Sequence, residues 1–177
     1  MRTSLAFLAV ALILPAAGAA QTGEALIQKV GEGPNVSVIT FPASKDLVYR
    51  VAWHATVGPE NPAELAPSFR APANFLWMSD REQVPRRNIQ LALIVHGTAT
   101  HSLMRNDAYR ALRGVDNASI ALLTALHESG VQIIVCGVAL VNRNVPRETL
   151  LPFVKIAHTA GMAHATLAAQ GYTVISP

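Results

Sequence analysis

The chain has 177 residues, 51% of them hydrophobic and only 14% charged, which excludes a disordered body and supplies enough apolar material for one full core. Its formal charge of +3 is a small surplus, the basic residues are scattered with Arg86-Arg87 as the densest pair, and no basic stripe interleaved with aromatics favours nucleic acid. One cysteine excludes an intramolecular disulfide and leaves that thiol to burial, intermolecular pairing or reactivity.

In chain order, MRTSLAFLAVALILPAAGAAQ sets a basic residue, an apolar stretch from about Leu5 to Pro15 and small residues at Ala17–Ala20. That is the order of a secretory signal peptide, expected over 1–20, and it predicts a periplasmic or secreted protein with no membrane attachment after cleavage. The apolar stretch falls short of the roughly 18 residues that span a bilayer, and an uncleaved anchor is the alternative. Residues 21–47 are polar, with Gly31, Gly33, Pro34 and Pro42, and read as an extended N-terminal arm. The domain proper is expected over 48–177.

LVYRVAWHATV (Leu47–Val57) is a strand candidate. GPENPAELAPSFRAP is turn-rich, with at most a short helix from Pro62 to Phe69, and ANFLWMSD (Ala73–Asp80) is helical until Pro85 stops it. LALIVHG (Leu91–Gly97) is an apolar strand. Asp116 or Asn117 is placed to cap a helix reaching Ser129, closed by Gly130. VQIIVCG (Val131–Gly137) is a second apolar strand, a long helix is expected from about Leu151 to Gln170, and YTVIS (Tyr172–Ser176) is the last strand.

Short apolar strands alternating with helices predict an α/β fold: one three-layer domain with a mostly parallel sheet of four to five strands flanked by helices. Strands without polar alternation are buried on both faces. In such folds sites lie at the carboxyl ends of strands. His96 and Cys136 share that placement, each the last side chain before a glycine, Gly97 or Gly137, that leaves a central strand.

Cys136 there can face loop amides and act as a nucleophile, with His96 as its base; equally, cysteine is among the most buried residue types and can be filler. His96 and His101 in HGTATH are a weak metal signal without a third ligand, and Cys136, His96 and His101 together form a metal alternative. His54, His127, His158 and His164 are isolated in sequence and read as structural. G-x-S-x-G, C-x-x-C, P-loop and G-x-G-x-x-G motifs are absent from the sequence, which disfavours hydrolase, thioredoxin-type and nucleotide chemistry.

The ordered set NFLWMSD, LALIVHG, VDNASIALLTALHESGVQIIVCGVAL, LLPFVKIAHTAGMAHATLAAQGYTVI, spanning roughly Val48 to Ile175, resembles the DsrE/DsrF-like proteins, especially their exported bacterial branch. The resemblance implies a parallel sheet between helices and assembly into trimers or hexamers; no cofactor or metal is expected. It also implies sulfur-relay chemistry, in which a strand-end cysteine carries a persulfide sulfur between donor and acceptor proteins. Cys136 corresponds to that cysteine, with His96, Asn74, Gly97 and Gly137 as pocket residues. The competing expectation is a non-catalytic oligomeric module that binds a small ligand or protein and keeps Cys136 buried.

Overall fold

Three apolar runs make the centre of the sheet. In the computed structural model, which describes residues 18–175, they are β1 (Tyr49–Ala55), β2 (Ile89–Val95) and β3 (Gln132–Cys136). β2 lies between the other two, with Trp53 opposite Leu93 and Leu93 opposite Ile133. Two short edge strands complete the sheet, β4 (Lys155–Ala157) beside β3 and β5 (Thr173–Ile175) beside β1. All five strands are parallel, in the order β4-β3-β2-β1-β5, and the α/β expectation holds.

The helices are α1 (Gly18–Gly31), α2 (Arg70–Arg81), α3 (Asn106–Arg113), α4 (Ile120–Glu128), α5 (Gly137–Asn142) and α6 (Ala160–Ala169). Side chains alternate across a strand, so each central strand feeds two cores. The odd-numbered positions Val51, Ala55, Leu91, Leu93, Val95, Ile133 and Val135 enter the larger core, with Ile27 of α1, Leu76 of α2 and Leu123 of α4. The even-numbered Ala52, Ala92, Ile94 and Ile134 meet Ala163 and Leu167 of α6 in a smaller one. Burial on both faces is why the strands read as unbroken apolar runs.

Three expectations change. Residues 21–47 are not wholly an extended arm: they begin inside α1, because Leu26, Ile27 and Val30 recur at helical spacing and Ile27 is fully buried against α2 and α4. From Glu32 onward the segment has no regular structure before β1. The leader expected over 1–20 lies outside the described residues except for the last three, which start α1.

The single long helix from Leu151 to Gln170 is absent. Pro152 and the β-branched Val154 and Ile156 favour extended backbone, which pairs as β4 with β3. Thr159 then starts α6 afresh, its Oγ1 accepting from Met162 N at 3.0 Å. Asn117 precedes α4 without capping it. Its Nδ2 donates to Ser102 O and Met104 O, and its Oδ1 accepts from Ser119 N, tying the turn before the helix to the loop after β2.

Candidate functional site

The even-numbered phase of the sheet runs out in polar residues at its carboxyl end. On β1 it passes from Ala52 to His54, which pairs with Ile94. Val95 and Val135 are the last pair between β2 and β3; His96 follows directly after β2, and Cys136, paired onward with Ala157 of β4, ends β3. All three therefore continue the face that α6 covers, and α6 adds His164, the residue after buried Ala163.

The three histidines are linked through the central ring. His54 Nδ1 lies 3.1 Å from His96 Nε2, and His54 Nε2 lies 3.4 Å from His164 Nδ1. The His54 and His96 rings stand at 88° with centroids 5.2 Å apart, and the His164 ring centroid is 5.4 Å from that of His54. Burial, then the charges that His96 and His164 would carry, push His54 below the usual imidazole range. Burial also lowers His96. His54 and His96 are thus both biased toward the neutral imidazole.

His96 is placed by backbone. Its N–H donates to Ala55 O at 2.9 Å, one step past the end of β2. Gly97 then turns the chain at φ +62°, where a β-carbon would come within 2.4 Å of Thr56 O, so only glycine lets the strand leave beside β1.

Cys136 is buried, at 7% exposure. Its Sγ accepts a hydrogen bond from Ala139 N at 3.4 Å in the first turn of α5, and none links it to His96 among the described residues. Val138 N donates to His158 O, and a β-carbon on Gly137 would sit 3.0 Å from Ala157 O. The strand end is thereby pinned against β4. A groove of about 370 Å³ runs between α6 and β3–β4, lined by Ile134, Ala157, His158, Met162 and Leu167. A larger one of about 1390 Å³ lies between α5 and β4, lined by Gly137, Val141 and Ile156. Cys136 lines neither.

Of the expected site residues, His96, Gly97, Cys136 and Gly137 gather at one end of the sheet. Asn74 does not join them. It lies in α2, on the larger-core side, where its Nδ2 donates to Gly31 O at 2.8 Å and terminates α1. His101 also turns elsewhere: its Nδ1 lies 3.3 Å from Arg113 Nη2, so HGTATH does not aim two imidazoles at one point. Among the described residues no three His, Cys, Asp or Glu side chains converge as metal ligands. His54 and His164 are the additions that sequence reading missed. The phase of WHATV, with its histidine near a strand end as in VHG, was the available signal for His54; for His164 there was none, because the segment AGMAHATLAA has no period that marks its inner face.

The family model for the DsrE/DsrF-like family matches residues 59–177. The chain belongs to the DsrE/DsrF-like family. The matched span of this DsrE/DsrF-like protein takes in His96, Cys136 and His164 and starts after His54. Among solved structures, the protein of unknown function MTH1491 from Methanobacterium thermoautotrophicum is similar at 16% identity and a TM-score of 0.47, covering 73% of this chain and 99% of that one. No curated protein matches the sequence.

Proposed function

We propose that this DsrE/DsrF-like protein handles sulfane sulfur at Cys136, with His96 as the base that serves it. The observation that carries the reading is the convergence of two strand ends: His96 and Cys136 each follow the last β2–β3 pair, Val95 with Val135, on the same face of the sheet. A thiol needs deprotonation to act as a nucleophile, and a neutral imidazole nearby is the group suited to it. In the proposed step Cys136 loses its proton to His96. The thiolate then attacks the outer sulfur of a donor persulfide, R–S–SH. The donor S–S bond breaks, a new S–S bond forms on Cys136, and the departing thiolate R–S⁻ takes a proton from water as R–SH. No outside oxidant is required, because the sulfane sulfur only changes carriers.

The burial of Cys136 favours a second reading, in which the cysteine is structural and the strand ends bind a small ligand or protein without group transfer. Mass spectrometry after incubation with a low-molecular-weight persulfide, then alkylation, separates the two. The sulfur reading expects Cys136 to gain the mass of one sulfur atom in the native protein. Cys136 that stays unmodified until the chain is denatured overturns it and leaves the binding module.

The proposal extends to an exported protein that works as a homo-oligomer, trimer or hexamer, exchanging sulfur with a donor or acceptor protein. Exposed apolar side chains at Val138, Val141, Ile156 and Met162 support assembly. Sedimentation of the purified chain as a monomer would remove the oligomeric part.

A further inference from the structure

The chain His96–His54–His164 is more specific than a cluster of imidazoles, because the middle ring spends both nitrogens on histidine neighbours. A neutral imidazole has one N–H donor and one bare acceptor nitrogen. If His96 Nε2–H donates to His54 Nδ1, then His54 carries its proton on Nε2 and donates to His164 Nδ1, leaving His164 with Nε2–H. In the opposite sense all three rings carry Nδ1–H. The chain therefore has two directions, and in each the three rings share one tautomer.

The geometry points to a proton relay in which His54 and His164 carry away the proton that His96 accepts at the Cys136 site. A proton arriving at His96 Nδ1 frees that ring's Nε2 proton for His54 Nδ1. His54 passes its Nε2 proton to His164 Nδ1, and His164 releases its own Nε2 proton to water. Three rings change tautomer, one proton crosses, and none of the rings stays charged. His96 is the base, while His54 and His164 are positioning and relay residues. This inference rests on the proposed sulfur chemistry for its purpose, though not for its existence.

The surroundings suit a relay rather than a fixed ion pair. β1 supplies His54 at this end, the residue after β2 is His96, α6 supplies His164, β3 Cys136, and the residue after β4 is His158. Residues 47–57, 89–106, 131–147 and 149–175 contain no Asp or Glu, so the strands and α6 bring no carboxylate to hold a proton on one ring. The nearest in sequence on the strand-end side is Glu60, in the exposed loop after β1. His54 lies before the span shared with the family model.

The test is ¹⁵N NMR of the histidine rings in the full chain, at a pH where all three are neutral, comparing wild type with His164→Phe. The relay expects one shared tautomer ratio for His96, His54 and His164. It also expects His164→Phe to change the ratio at His96, with which His164 makes no hydrogen bond, and His54→Phe to abolish that response. Unlike tautomers within the three rings, or a His96 ratio indifferent to position 164 in a folded variant, overturns the relay. Coupled rings together with a Cys136 that takes up no sulfur would leave the relay standing and remove the sulfur reading instead.

Discussion

At Gly97 the backbone sits at φ +62°, and the missing β-carbon leaves room for Thr56 O, which would otherwise be 2.4 Å away. Gly97→Ala incurs both the left-handed strain and a clash with backbone that cannot swing aside. The expected loss is about 2–3 kcal/mol of unfolding free energy in urea, with a displaced His96. Cys136→Ala is milder in principle, since only a sulfur and one weak acceptor are removed. Position and burial are separate facts for this residue. Sequence order located the thiol correctly at a strand end next to a glycine, whereas its exposure depended on how α5 folds back over it. Residue identity also mispredicted Asn74, because its partner is the carbonyl end of a helix that had been read as arm.

Among the elements, the three central strands were legible because a doubly buried parallel strand leaves an unmistakable apolar run. The edge strands were not. β4 has only three residues and two of them are exposed, so its pattern carries little apolar signal and was absorbed into a neighbouring helix. α6 is nearly uniform in hydrophobicity, AGMAHATLAA, and gives no period by which to find its start. Its start is set instead by one side chain, Thr159. Thr159→Ala is expected to remove about 1 kcal/mol of stability and to loosen the first turn of α6, read by denaturant midpoint and by His164 ring shifts. The histidine chain was hidden for the same reason: its members lie on three elements, 42 and 110 positions apart along the chain, and register alone brings them together.

For the molecule as a whole, His54, His96 and His101 share a direction of shift, each held below its unperturbed 6.5 with burial as the main cause. The unfolded chain then binds more protons than the folded one below about that pH. Stability should be complete above 6.5 and should fall as the pH drops through and beneath it, for example in urea midpoints compared at about pH 8 and about pH 5. His54→Gln should flatten this slope. Asp107 and Asp116, lowered from 3.8 by Arg105 and Arg110, are fully exposed and act only in a more acidic window.

The two cores differ in what stands between the sheet and water. Beneath the larger core lie α1, α2 and α4; among the described residues the other face has one helix, α6, seated on alanines at Ala52 and Ala92 and fastened chiefly by Ala163 and Leu167. Few apolar contacts hold it, so α6 is the unit that can lift away while the rest of the protein stays folded. Amide hydrogen exchange should therefore run faster along α6 than along α4 under native conditions. Each such excursion would take His164 from His54 and bare the alanine-lined face of the sheet, making transient detachment of one helix the event that interrupts the histidine chain.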